Sequence, residues 1–508
     1  MKHRLLLPLL GATLCGAPLA HAEVSQKAAA SSSKPNIIFF FADDLGYGEV
    51  GVYGQKKIKT PNLDQLAHDG IKFTQFYAGQ NVCAPSRCAL LTGKHMGHAA
   101  VRENSAHLLG DPSKYTDPDM KAAATRFKKY TKEDGFPGQL LLPQSEFTVA
   151  DALKKEGYAT ACIGKWGLGH VTDAGAPARH GFDLFYGYMC QRRAHNYYPV
   201  LLWRNDKKIP LPGNERKLTG KTYAADSMEA EALKFIKENK DKPFFLYYAT
   251  PVPHVALQVP EDEPSLAQYR KEFGPEKPYD GSNGYLPNKT PHATYAAMVT
   301  RMDRSVGKMR KLLKELKIDK NTVFIFASDN GATFNGGYDR AFFNGNGPLR
   351  GKKCDLYEGG IRVPAIVQWD GKIKPGTTTD NVTALWDFLP TACEIAGAES
   401  PKGIDGISFL PTLLGKEQPQ HKYLYWESRL TKGQQVVRMG DWKGIRENVR
   451  KKGSKTPLKL YNLADDISES KDVAADHPEI VKQIEKYMRE AHVPNKLFPM
   501  GALEEECK

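Results

Sequence analysis

Ile37-Ile38-Phe39-Phe40-Phe41 is an unbroken apolar run with no alternation, and a strand built from it must be covered on both faces. That condition is met in a parallel sheet, where helical crossovers coat both surfaces. Comparable runs recur at Tyr158–Ile163, Pro243–Tyr248 and Thr322–Phe326. Between them the spacing turns helical. Thr60 followed by Pro61 reads as a cap with proline in the first turn, Leu63, Leu66 and Ala67 share a face, and Gly70 is the stop. Tyr295, Met298, Val299, Met302, Val306, Met309, Leu313 and Leu316 predict a long helix with its stripe on a core. Strands alternating with helices predict an α/β fold: a large mixed or parallel central sheet flanked by helices. From Pro401 the texture changes. Short alternating segments at Val436–Lys443 and Leu458–Leu463, then a helical stretch at His477–Ala491, predict a smaller C-terminal α+β domain. A chain of 508 residues with 41% apolar content can bury cores of this size, divided as 35–400 and 401–508.

The first residues carry a different message. Lys2 and Arg4 precede an apolar run from Leu5 to Leu19 and then Ala20-His21-Ala22, a small-x-small cleavage pattern. Residues 1–22 read as a secretory signal peptide and the Ala/Ser-rich stretch 23–34 as a flexible leader. No other stretch approaches the roughly 20 apolar residues a bilayer span needs. The expectation is an exported protein, periplasmic or secreted, without a membrane span. Of eight cysteines, Cys15 leaves with the signal, and Cys88, Cys162, Cys190, Cys354, Cys393 and Cys507 are too scattered for a zinc site or a disulfide scaffold. The formal charge of +13 concentrates anionic partners without choosing among them. Nucleic acid is disfavoured, because no dense basic cluster interleaves with aromatics.

Chemistry concentrates in three places. Cys83-Ala84-Pro85-Ser86-Arg87 opens a helix that Ala89, Leu90 and Leu91 continue inward. Residue 83 then sits at a helix N-terminus, where free N–H groups and the dipole favour an anion, and Arg87 adds a planar fork for oxyanions one turn on. The other two places are strand ends: the run to Phe41 continues into Asp43-Asp44, and the run to Phe326 into Asp329-Asn330. An isolated Asp-Asp after a strand commonly caps the next turn. Two such doublets after buried strands, however, fall where parallel sheets gather ligands. Three carboxylates and an amide are hard ligands, suited to calcium or magnesium and poorly suited to zinc.

The segment Cys83-x-Pro85-Ser86-Arg87 with Thr92-Gly93 resembles the signature of the type I sulfatase family, which has the alkaline phosphatase-like fold. The resemblance implies that a maturation enzyme oxidises Cys83 to formylglycine. It further implies a calcium ion bound by residue 83, Asp43, Asp44, Asp329 and Asn330. Gly164-Lys165-Trp166, His254 in Pro251-Val252-Pro253-His254, and Lys353 in Leu349-Arg350-Gly351-Lys352-Lys353 are similar to family segments in the expected order. By that resemblance one hydroxyl of the aldehyde hydrate attacks sulfur. Arg87, Lys165 and Lys353 balance the sulfuryl charge, and His254 protonates the departing alcohol. The second hydroxyl then expels sulfate. One position departs from the pattern: Gly167 stands where the family has the histidine assigned to the release step, leaving His170, His95 and His98 as candidates.

Substrate contacts are expected from Arg102 and Asn104 beyond the signature helix and from His195 and Asn196 in a polar, aromatic segment. Export and positive charge point to a sulfated carbohydrate as partner. Two other readings stay open: a phosphonate monoester or phosphodiester hydrolase of the same superfamily, and a glycan-binding protein in which Cys83 remains a thiol.

Overall fold

Hydrogen bonding joins the four apolar runs edge to edge. In the computed structural model, which describes residue 1 and residues 34–104 and 140–506, β1 (Asn36–Ala42) lies between β8 (Phe244–Ala249) and β9 (Thr322–Ser328), parallel to both. Next to β8 comes β4 (Ala159–Lys165) and then β5 (Leu184–Tyr188), again parallel. The expected signal peptide, the leader up to residue 33 and Cys507 lie outside the described residues.

Around this parallel centre the sheet becomes mixed. The hairpin β6 (Leu201–Arg204) and β7 (Lys207–Pro210) runs antiparallel on the β5 side. On the other side stand β10 (Ala365–Gln368), antiparallel to β9, then β2 (Ile71–Phe73) and β11 (Thr377–Thr379). Among the described residues the sheet has ten strands in the order β11-β2-β10-β9-β1-β8-β4-β5-β6-β7. A two-stranded bridge pairs β3 (Phe76–Tyr77) with β12 (Thr383–Ala384).

The unbroken apolar run of β1 serves two cores. Ile37, Phe39 and Phe41 face one cluster, with Leu90, Leu91 and Phe388; Ile38 and Phe40 face the other, with Met298, Met302 and Val306. Every one of these side chains is essentially inaccessible, and burial of each such side chain contributes about 1.5–3 kcal/mol. The expected helices form at Pro61–Asp69 and Pro291–Glu315. Thr60, expected as a capping side chain, makes no cap bond; its hydroxyl accepts the Gly51 N–H instead.

Toward the C-terminus β13 (Leu424–Ser428), β14 (Gln434–Met439), β15 (Trp442–Glu447) and β16 (Leu458–Asn462) form an antiparallel sheet in sequence order. The segment 436–443, read as one alternating run, is a hairpin that turns at Gly440-Asp441. One face packs Tyr425, Val437 and Leu460 against Ile484 and Met488 of the helix Pro478–Ala491. From the other face Trp426, Val436 and Ile445 join the main core. The two sheets accordingly belong to one compact unit.

Candidate active site

The carboxyl ends of β1, β4, β8 and β9 converge. β1 delivers Asp43 and Asp44, β9 delivers Asp329 and Asn330, β4 ends on Lys165, and the segment after β8 carries His254. Parallel pairing puts all these ends on one edge, so residues far apart in sequence meet: the Asp44 N–H donates to Asp329 Oδ1 at 3.0 Å. Asp44 holds a left-handed conformation, φ 65°, which is strained for a non-glycine residue and turns its carboxylate inward.

The helix Cys83–Thr92 aims its N-terminus at the same edge and ends on Gly93 at φ 70°. Cys83 Sγ lies 3.2 Å from Asp43 Oδ1, 3.9 Å from Asp44 Oδ1 and 3.8 Å from Lys353 Nζ. Arg87 Nη1 donates to the Lys165 carbonyl and Nη2 to Asp329 Oδ2, both at 2.8 Å. Lys165 Nζ is 2.6 Å from Asp43 Oδ2, and Lys353 Nζ is 2.7 Å from Asp44 Oδ2. His254 Nε2 stands 3.5 Å from Asp44 Oδ2, while its Nδ1 bonds the Val255 carbonyl. That bond assigns the proton of the neutral ring to Nδ1 and leaves Nε2 facing the cluster.

Burial and charge set the protonation states. Burial by itself would raise Asp43, but Lys165, His254, Arg87 and Lys353 together hold its carboxyl well below the ordinary range. Asp329 moves the other way, raised by burial and by the Asp43 carboxylate beside it. Burial works against the two ammonium groups, yet Asp43 raises Lys165 and Asp44 raises Lys353 above the usual lysine value. Burial and Asp43 push the Cys83 thiol well up, so an unmodified Cys83 is a protonated thiol and a poor nucleophile.

The donor set fits a hard divalent cation. Asp43, Asp44, Cys83 and His254 offer ligand atoms within 4.8 Å of one another, and Asn330 Oδ1 is buried without a hydrogen-bond partner. The Asp43 and Asp44 carboxylates and the Asn330 amide oxygen are the hard donors of this set; a thiol at 83 and the His254 imidazole are not. A cation there would also convert a balanced cluster into one that attracts an anion.

Of the expected substrate contacts, His195 reaches this mouth: its ring stacks on that of His254 at a centroid distance of 4.4 Å. Asn104 Oδ1 accepts the Ala84 N–H at 2.8 Å and so caps the signature helix. Arg102 is buried and bound to Glu427, at 2.7 Å, and to the carbonyls of Gly97, Ala99 and Val493. Asn196 accepts the Tyr198 N–H and donates to the Lys217 carbonyl. Sequence reasoning missed Tyr285, whose ring packs 5.2 Å from His195 and 5.9 Å from His254. It lies in an irregular segment at φ 66°, where no periodicity marks it.

Gly167 takes φ 83°, and a Cβ there would lie 2.6 Å from Gln191 Nε2. Gln191 thus fills the space a side chain at 167 would need. Among the candidates for the release step, His95 and His98 stack on each other at 4.5 Å and both approach Asp405. They follow Gly93, beyond the helix end opposite Cys83. His170 packs edge-on against Trp203.

Comparison with known proteins gives the family. A family profile described as Sulfatase matches residues 35–398, and one described as N-sulphoglucosamine sulphohydrolase, C-terminal, matches residues 351–493. The chain is 30% identical over 441 residues to human N-acetylgalactosamine-6-sulfatase, covering 83% of this chain and 75% of the relative. It is 28% identical over 557 residues to N-acetylgalactosamine-6-O-sulfatase of Bacteroides thetaiotaomicron, covering 95% and 98%. The solved structure of Ps i-CgsB in complex with k-i-k-neocarrahexaose superposes with a TM-score of 0.71 at 26% identity, covering 94% and 96%. The fold is that of the alkaline phosphatase-like sulfatases. This chain belongs to the sulfatase family and is a sulfuric ester hydrolase.

Proposed function

We propose that the protein is exported and removes sulfate from a sulfated carbohydrate, using a formylglycine made from Cys83 by a maturation enzyme and a calcium ion. The observation that carries this reading is the single cluster in which Cys83 Sγ meets Asp43 at 3.2 Å and Lys353 at 3.8 Å, with Lys165 bound to Asp43 and Arg87 to Asp329 beside it. A carbohydrate substrate is supported by the names of the relatives, N-acetylgalactosamine sulfatases of a mammal and a bacterium.

Asp43, Asp44, Asp329 and Asn330 would hold the cation. The bound cation and the aldehyde hydrate supply charge stabilisation and the attacking hydroxyl. The remaining work falls to the chain's own groups. Arg87 is locked by Asp329 and the Lys165 carbonyl, so its guanidinium needs no reordering when an anion arrives. Lys165 and Lys353, held protonated by their carboxylates, offer N–H donors to sulfuryl oxygens. His254 presents Nε2 at the mouth; burial, then Lys353, lowers its affinity for a proton, and an anionic ester beside it restores that affinity. A proton held at Nε2 is then placed for the leaving oxygen. His195, stacked on His254, is proposed to touch the sugar, with Arg102, Asn104 and Asn196 holding the walls.

Peptide mass spectrometry across residues 83–87 tests the first premise: the expected mass is that of an aldehyde in place of the thiol, and an intact thiol in protein from its native host sinks the enzyme reading. Rates on an aryl sulfate and an aryl phosphodiester test the second. A strong phosphodiester preference would overturn the choice of sulfate. Chelation is expected to lower activity, and calcium to restore it better than magnesium.

A further inference from the structure

The small sheet presents a feature that desulfation at Cys83 leaves unused. Residues 429–433 join β13 to β14 and residues 448–457 join β15 to β16, so antiparallel pairing brings both loops to one end of the sheet. That end abuts the catalytic loops. Thr431 Oγ1 donates to the carbonyl of Cys354, the residue after Lys353, at 2.9 Å. Ser428 Oγ donates to Oδ1 of Asn81, two residues before Cys83, at 3.2 Å.

The two loops carry Arg429, Lys432, Arg450, Lys451, Lys452 and Lys455 and no acidic residue. Arg429 pairs with Glu103 at 3.0 Å and Lys452 with Glu505 at 3.7 Å. Among the described residues, Lys432, Arg450 and Lys451 enter no ion pair. With Asn448 and Ser454 they line a cavity of about 510 Å³, a size that accepts a sugar ring. Its walls are tied by backbone bonds, Val449 N–H to the Gly433 carbonyl at 3.2 Å and Arg450 N–H to the Lys432 carbonyl at 3.1 Å. Gly433, at φ 92°, permits the approach: a Cβ there would fall 2.5 Å from Arg450 N. Glu505 reaches the same loop at Gly453 and Lys452, but no carboxylate is among the residues lining the cavity; three cations around one cavity repel one another, and an anion between them relieves that repulsion.

We infer that this cavity takes a second anionic group, a sulfate ester or a carboxylate, on a sugar neighbouring the one that is desulfated. The inference rests on the proposed carbohydrate sulfatase and narrows its substrate class to oligosaccharides or polysaccharides bearing several charges.

The test compares wild type with a Lys432→Gln/Arg450→Gln/Lys451→Gln variant on four substrates: a monosulfated monosaccharide, and oligosaccharides whose neighbouring sugars are neutral, sulfated or carboxylated. The ratio of kcat/KM on a charged oligosaccharide to that on the monosaccharide is expected to fall about tenfold in the variant, since each partly exposed charge contact is worth a few-fold. The ratio for the neutral oligosaccharide should stay. Whichever charged oligosaccharide shows the fall identifies sulfate or carboxylate as the recognised group. An unchanged ratio on both, or an equal fall with the neutral one, overturns the subsite. Calorimetric binding of the charged oligosaccharides to Cys83→Ala protein, with and without the loop substitutions, separates the two claims. If wild type desulfates no sugar yet these loops still govern binding, the catalytic reading fails and the subsite stands.

Discussion

Asp43, Asp44 and Asp329 face Arg87, Lys165 and Lys353 at the strand ends, whereas Glu358 and Glu469 face Lys443 and Arg362 where the small sheet meets the large one. In both places one carboxyl is held low and its neighbour is pushed up. Burial opposes ionisation of Glu358, but Lys443, Arg362 and Arg438 lower it; burial and then Glu358 raise Glu469, as burial and Asp43 raise Asp329. The difference lies in access. Lys443 and Glu358 are sealed, with side chains 0% exposed, and Lys443 Nζ sits 2.9 Å from Glu358 and 2.8 Å from Glu469. Tyr77, from β3, adds a bond to Glu358 at 2.7 Å. Arg87, Lys165, Asp43 and Asp329 are equally sealed, but Lys353 keeps 12% of its side chain exposed and gives that cluster its opening, beside the ring pair His195–His254. The same ionic chemistry fastens two sheets together where it is closed and can receive a ligand where it is open.

The largest expected effect is at the open cluster. Cys83→Ala should lower turnover by about 10⁴-fold or more, as for loss of a covalent nucleophile, with little change in the unfolding midpoint. Retained activity would mean that the cluster does its chemistry without residue 83. Lys165→Ala or Lys353→Ala should cost about 10²–10³-fold in kcat, the range for removing a preorganised charge donor.

At the sealed cluster the sign of the comparison reverses. Lys443→Ala takes the ammonium from buried Glu469 and leaves Glu358 with Arg362 as its ion-pair partner; it should destabilise the fold by about 3–5 kcal/mol in denaturant titration, while turnover per folded molecule stays near wild type. A fall in kcat matching that of Lys165→Ala would break the distinction between the clusters.

A smaller, pH-dependent effect sharpens it further. Burial lowers His95 from 6.5 to about 4, against the pull of Asp405. The folded value lies below the unfolded one, so this contribution to stability is complete above pH 6.5 and is lost as pH falls toward 4, at up to about 1.4 kcal/mol per pH unit. His95→Gln should flatten the stability profile between pH 6.5 and 4 in denaturant titrations. An unchanged slope would show that His95 is already charged in the fold.

The four strands that carry the site were legible because their burial on both faces writes an unbroken apolar run. β2, β10 and β11 were not read, being three or four residues long, too short for any period to show. The doublets Asp43-Asp44 and Asp329-Asn330 stood out by following buried strands. Asn196 and Arg102 looked like ligand contacts because polarity on a loop carries no mark of direction; both turn inward onto backbone carbonyls. Tyr285 and the loops around Lys432 and Arg450 had no local signal, since their meaning depends on what lies opposite.

By itself the sequence determined the parallel strands, the helix that presents Cys83 and the kinds of ligand at the strand ends, because each is a pattern among residues close in the chain. Only the tertiary structure decided that Lys165 pairs with Asp43 and Lys353 with Asp44, that His195 lies against His254, and that two basic loops meet beside Cys354. Those choices join residues tens to hundreds of positions apart, and proximity across such distances comes from how the sheets pack, which no spacing along the chain records.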